Sequence, residues 1–128
     1  MTYAPVNGLK VYYEIHGSGR PLVLLHGGLL TIGLTFGPVL EPLAASRQVI
    51  AVELQGHGHT ADTGRVLTIE ALAGDVVALL DQLGIAEADL FGLLPDAQLA
   101  VLPGTTHVGV TRRPGEVLAL ITPFLDAC

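Results

Sequence analysis

Residues 21–28 read PLVLLHGG. A short unbroken apolar run, Pro21–Leu25, stops at His26-Gly27-Gly28. That pattern predicts a parallel strand buried on both faces, because a half-exposed strand would show a polar residue at every second position. The form recurs at residues 48–58, where Gln48–Leu54 ends in Gly56-His57-Gly58. Two such strands cannot be joined by a tight turn; they need a crossover, normally helical. The intervening stretch supplies one at Phe36–Ala45, with Pro38 expected in the first turn, where its missing N–H costs nothing.

Working outward, Tyr3–Val6 and Leu9–His16 flank Asn7-Gly8, a dipeptide suited to a two-residue hairpin because both central positions need φ > 0. Gly17-Ser18-Gly19 then breaks the chain. Downstream, Thr68 is an N-cap for a helix whose apolar stripe is Ile69, Leu72, Ala73, Val76, Leu80 and Leu83, with Gly84 as the left-handed stop. Ala88–Phe91 and Gln98–Leu102 read as further short strands. Pro114 starts a last helix with Val117, Leu118, Ile121, Phe124 and Leu125 on its apolar face, bent at Pro123. The order, a hairpin followed by alternating strands and helices, predicts a single α/β domain over residues 1–128 with a mostly parallel sheet and an N-terminal antiparallel hairpin.

Of the 128 residues, 50% are apolar and 14% charged, and the net charge is −6. No basic stripe exists to meet nucleic acid or an anionic membrane surface. The apolar runs are too short to span a bilayer. The start MTYAPVNG lacks a signal-peptide pattern, and a single cysteine, Cys128, permits no intrachain disulfide; a cytoplasmic location is expected. So small a charged fraction implies apolar surface that another chain covers.

The run VNGLKVYYEIHGSGRPLVLLHGG, then VIAVELQGHGHT, TIEALAGDVVALLDQLGI and ADLFG, resembles the α/β-hydrolase superfamily, in particular its esterase, epoxide-hydrolase and cofactor-free haloperoxidase-like branch. The tail LAVLPGTTHVGVTRRPGEVLALITPFLD resembles that family's last strand, histidine loop and last helix. The likeness covers two blocks, about residues 3–92 and about 93–127. It implies that Gly27, Gly28 and Leu29 form an oxyanion loop, with a backbone N–H of Gly28 or Leu29 facing developing negative charge. It also implies that His107 stands in the place of the general base, and that Glu53 and Gln55 occupy positions where the family often carries Asp and Arg.

One part of the family pattern does not occur. The resemblance places G-x-S-x-G directly after the strand ending at Phe91, on a strained turn that lifts the nucleophile above the sheet. Here Gly92 runs into Leu93-Leu94-Pro95, and the chain holds only Ser18 and Ser46. Asp89 and Asp96 match no acid position. The reading is therefore a truncated α/β-hydrolase core, lacking nucleophile elbow, lid and acid-bearing strands, descended from enzymes of ester or related acyl hydrolysis and inactive as an isolated chain. The alternative is a non-catalytic module that binds a small ester-like molecule or assembles with itself.

His26, His57, His59 and His107 are all expected at the carboxyl rim of the sheet, where sites form in open α/β folds. Imidazoles there could hold zinc or nickel, but no carboxylate or cysteine has matching local spacing, so no metal and no cofactor is expected. Between Ala88–Phe91 and Gln98–Leu102 lie only the six residues Gly92–Ala97. That is short for a parallel crossover, and a homodimer or larger assembly with exchange of residues 98–127, or with edge strands paired, is the expected consequence.

Overall fold

A computed structural model describes residues 2–91 and 114–126. The hairpin consists of β1 (Thr2–Val6) and β2 (Leu9–His16) in antiparallel register, Val6 opposite Leu9. Its turn has Asn7 at φ 50° and Gly8 at φ 82°, both in the left-handed region that Asn-Gly tolerates. Next come β3 (Arg20–Leu25), α1 (Ile32–Ala44), β4 (Arg47–Val52), α2 (Ile69–Gln82), β5 (Asp89–Phe91) and α3 (Pro114–Asp126).

The sheet order is β1-β2-β4-β3-β5. β3 pairs in parallel with β4 on one side and with β5 on the other, while β2 pairs antiparallel with both β4 and β1. The expectation of a mostly parallel sheet is therefore corrected: among the described residues the sheet is mixed, with two parallel and two antiparallel pairings. The hairpin does not stand apart. It docks its second strand directly on β4, Tyr13 opposite Val52 and His16 opposite Val49.

The unbroken apolar runs are explained by helices on both faces. Leu22, Leu24, Val49 and Ala51 point into a core built with Ile32, Phe36, Val39 and Leu43 of α1 and Leu125 of α3. Val23, Ile50 and Val52 point the other way, against Val76 and Leu79 of α2 and Ala4, Val6, Leu9 and Val11 of the hairpin. Burial of a side chain of this size stabilises the fold by about 1.5–3 kcal/mol each.

α1 starts four residues earlier than the prolines suggest (Ile32 against Phe36), because Thr31 caps it: its hydroxyl accepts the N–H of Leu34 at 3.3 Å. Pro38 consequently sits in the helix interior, not in the first turn, and so does Pro42. Both lie on the exposed side, where water can satisfy the carbonyls that lose their N–H partners.

α2 begins as its sequence indicates, with the Thr68 hydroxyl accepting the Ala71 N–H at 3.0 Å. It ends in a Schellman pair, Ile85 N–H to Leu80 O and Gly84 N–H to Asp81 O, closed by Gly84 at φ 71°. Its buried stripe is shifted from the expected one: Asp75, Val76 and Leu79 are buried, whereas Ile69 is 69% exposed and Ala73 is also exposed. In α3, Leu118 and Ile121 pack on the first core beside Leu125, and Asp126 meets Arg47 of β4 at 3.4 Å.

Among the described residues no helix is long and apolar enough to cross a membrane. The expected strand Gln98–Leu102, the connection Gly92–Ala97, His107 and Cys128 lie outside the described residues.

Candidate functional site

Parallel β3 and β4 deliver the loops that follow them to one edge of the sheet. From β3 emerges His26-Gly27-Gly28-Leu29, and from β4 emerges the segment Glu53 to Thr60. The rings of His26 and His57 meet there with centroids 4.7 Å apart.

His26 is buried, and its ring is bound at both nitrogens. Its Nε2 accepts the Leu54 N–H at 3.0 Å, and its Nδ1 lies 2.8 Å from the Gly27 carbonyl. A ring that accepts at one nitrogen and donates at the other is neutral. Burial holds its pKa below the ordinary imidazole value; the bond to Gly27 works the other way, and the neighbouring His57 adds to the lowering.

His57 is arranged in the same sense. Its Nδ1 sits 2.9 Å from the Gln55 carbonyl, to which it donates, leaving the Nε2 lone pair to accept the Leu29 N–H at 3.3 Å. Leu29 itself is held at φ 62° with its side chain 95% exposed. A branched apolar residue in the left-handed region costs about 1–2 kcal/mol, which marks this loop as shaped by something other than burial. Gly28 is exposed, with open space where a side chain would stand, and its N–H has no acceptor among the described residues.

The organiser of the rim is Glu53, only 2% exposed. Its carboxylate accepts the Ile32 N–H at 3.3 Å, the His59 N–H at 2.6 Å and the His59 Nδ1 at 3.0 Å. One buried side chain thus ties the start of α1 to the turn after β4. Gly58 passes so close that a Cβ there would overlap the Glu53 carboxylate. Thr60 completes the tie to the hairpin, donating to the Glu53 carbonyl at 2.8 Å and accepting the Tyr12 N–H at 2.9 Å.

Next to it, buried Gln55 donates to Asp62 and to the Arg65 carbonyl and accepts from Arg65 Nε at 2.9 Å. Arg65 in turn grips Asp75 of α2 with both terminal nitrogens. The positions of Glu53 and Gln55 are visible in the sequence, but their structural role is not. The only local signal is that two polar residues follow an apolar strand before a glycine turn.

The serines are elsewhere. Ser18 precedes β3 and Ser46 precedes β4, so both sit at the amino edge of the parallel pair. The two turns are in contact: a Cβ on Gly17 would collide with the carbonyls of Ala44 and Arg47, and one on Gly19 would crowd the Ser46 carbonyl. Each six-residue strand separates its serine from the rim by about 20 Å at 3.3 Å per residue. Neither hydroxyl can meet an atom held beside Gly28.

Among the described residues no group of three or more His, Cys, Asp or Glu side chains is placed to hold a metal ion. The structure brings Gly27, Gly28, Leu29, His26, His57 and His59 to one edge, as their spacing suggests. His107, the fourth histidine expected there, is outside the described residues.

No protein-family model matches the chain. Individual proteins do. The dihydrolipoyllysine-residue acetyltransferase component of the acetoin cleaving system of Pseudomonas putida is 44% identical over 70% of this chain and 24% of its own length. The pimeloyl-[acyl-carrier protein] methyl ester esterase of Xanthomonas oryzae pv. oryzae is 32% identical over 80% of this chain and 42% of its own. Among solved structures, the enol-lactonase of Burkholderia xenovorans LB400 superposes with a TM-score of 0.65 at 28% identity, over 92% of this chain and 41% of the lactonase.

The chain belongs to the α/β-hydrolase superfamily.

It spans less than half the length of each of these three proteins. The loop His26–Leu29 follows β3, the third strand in chain order. The parallel trio β4-β3-β5 and the docked hairpin are the portion of the α/β-hydrolase sheet that the described residues build.

Proposed function

We propose that this chain carries the oxyanion-loop part of an α/β-hydrolase site, binds small esters or related acyl compounds at the rim, and does not cleave them by itself. The observation that carries the reading is the separation just described. Among the described residues no group accepts the Gly28 N–H at the carboxyl edge, while Ser18 and Ser46 lie at the amino edge. A hydroxyl without an adjacent base and a donor-lined pocket is a weak nucleophile. The sequence adds that Gly92 is followed by Leu93-Leu94-Pro95, where the superfamily pattern calls for the nucleophile elbow. On this reading the elbow, the lid and the acid-bearing strands are missing from the interior of the chain, and His107 is a general base without its partners. Ester chemistry is the ancestral activity, in keeping with an esterase and an enol-lactonase among the similar proteins.

The test is p-nitrophenyl butyrate together with a serine-directed fluorophosphonate. No burst, no turnover and no covalent label are expected, while the uncleaved neutral ester ethyl butyrate shifts the Gly28 amide resonance. Stoichiometric labelling at Ser18 or Ser46 would overturn the reading, as would the absence of any ester binding.

A second reading, self-assembly, is favoured by apolar side chains left in solvent: Leu34, Val66 and Val77 are all more than half exposed, as are Leu29 and Ile69. Exposed apolar side chains recruit another chain where they gather into one patch. Light scattering at micromolar concentration is expected to give more than one chain per particle, through exchange of residues 98–127 or pairing of edge strands. A monodisperse monomer would remove this reading.

A further inference from the structure

We infer that His57 gates the rim toward anions: neutral, it occupies the Leu29 N–H; protonated, it releases that N–H and joins it in binding a short-chain carboxylate. The inference deepens the proposed function, since it rests on the reading of the His26–Leu29 loop as one that faces negative charge.

The geometry begins with the tautomer. His57 donates from Nδ1 to the Gln55 carbonyl at 2.9 Å, so its Nε2 carries a lone pair, and that lone pair accepts the Leu29 N–H at 3.3 Å. In this state a carboxylate approaching Leu29 finds the donor taken and a lone pair facing it. Adding a proton at Nε2 turns the acceptor into a donor. Two N–H groups cannot hydrogen-bond each other, so the contact opens. Because they faced one another at 3.3 Å, both now point into the same small space. Two donors and a positive charge then converge where one paired donor stood, and charge-assisted bonds of this kind are about twice as strong as neutral ones. An anion with two adjacent acceptor oxygens, a carboxylate, matches that pair. The exposed Gly28 beside it leaves room, since nothing lies within 4 Å of its Cβ position.

The other titratable groups around His57 among the described residues do not substitute for it. His26, at 4.7 Å between ring centroids, has both nitrogens engaged, by Leu54 N–H and Gly27 O. Glu53 is turned to Ile32 and His59, and His59 is bound to Glu53 and stacked on Tyr12 at 4.3 Å between centroids. Among the described residues, only His57 has a ring nitrogen that accepts a backbone N–H of this loop.

Acetate and butyrate, titrated against backbone amide resonances at about pH 8 and about pH 6, test this. In the unsubstituted protein the affinity at the lower pH is expected to be about tenfold higher, with the Leu29 amide the most shifted. His57→Gln, which cannot gain a proton, is expected to bind with equal affinity at both. His57→Ala is expected to be pH-independent too, with faster hydrogen exchange at the Leu29 amide at the higher pH. Equal affinity at both pH values in the unsubstituted protein, the same slope in His57→Gln, or no carboxylate binding at all would each overturn the gate. Failure of the functional reading looks different: ethyl butyrate would then not bind, while the pH-dependent response to butyrate would persist.

Discussion

The carboxylate of Glu53 accepts the backbone N–H of Ile32 at 3.3 Å, across 21 positions of sequence. It is the point at which the loop after β3, the first turn of α1 and the turn after β4 become one unit, since the same carboxylate also accepts from His59. A carboxylate this deeply buried is tolerated only when its acceptor capacity is used. Glu53→Gln replaces one accepting oxygen by an NH₂ group, which must face a donor. The substitution is expected to cost about 1–3 kcal/mol in urea denaturation and to speed hydrogen exchange at Ile32 and His59. A glutamine variant as stable as the parent would show that the buried charge organises nothing.

Gly58 and Gly64 offer a controlled pair. Both have positive φ, 50° and 77°, but Gly58 lies against the Glu53 carboxylate while Gly64 has open space around its Cβ position. Gly64→Ala is expected to lose about 1–2 kcal/mol, the cost of the left-handed backbone alone. Gly58→Ala adds displacement of Glu53 and is expected to lose clearly more. Equal midpoints for the two variants in denaturant would contradict the close approach.

The lowered pKa of His26 sets a sign for acid stability. Its folded value lies below 6.5, with burial as the largest cause, so the unfolded chain takes up this proton at higher pH than the native protein does. Its contribution is present above 6.5 and is lost as pH falls through the folded value. Thermal midpoints are expected to fall between about pH 7 and about pH 5, and to fall less in His26→Gln. Parallel pH curves for parent and variant would exclude His26 as a source of acid lability.

Tyr12 behaves in the opposite sense at alkaline pH. The hydrogen bond from its hydroxyl to Glu14, 2.8 Å long, followed by burial, pushes its pKa from 10.0 up to about 12. A raised value stabilises the neutral form in the fold, so this contribution is complete below 10.0 and disappears as pH rises through about 12. Tyrosinate absorbance is expected to show one late step among the three tyrosines. Glu14→Gln is expected to move that step toward lower pH, and an unmoved step would assign the shift to burial alone.

What the amino-acid sequence determined by itself is the local grammar. Asn7-Gly8 made a turn that needs two left-handed residues, Thr68 capped α2, Gly84 closed it, and the runs before His26 and Gly56 became strands buried on both faces. These outcomes depend on φ preferences and on hydrogen bonds between residues a few positions apart, so they are legible without the fold. The grouping of Gly27, Gly28, Leu29 and His57 at one edge was also legible, because parallel strands send their following loops the same way. The tertiary structure alone decided that β2 docks antiparallel on β4, which made the sheet mixed. It also decided that Glu53 bridges to Ile32 and that Thr60 reaches Tyr12 across 48 positions. It put the two serines a strand's length from the rim. Each of these rests on contacts between residues far apart in the chain, whose partners become identifiable only once packing has brought them within hydrogen-bonding distance.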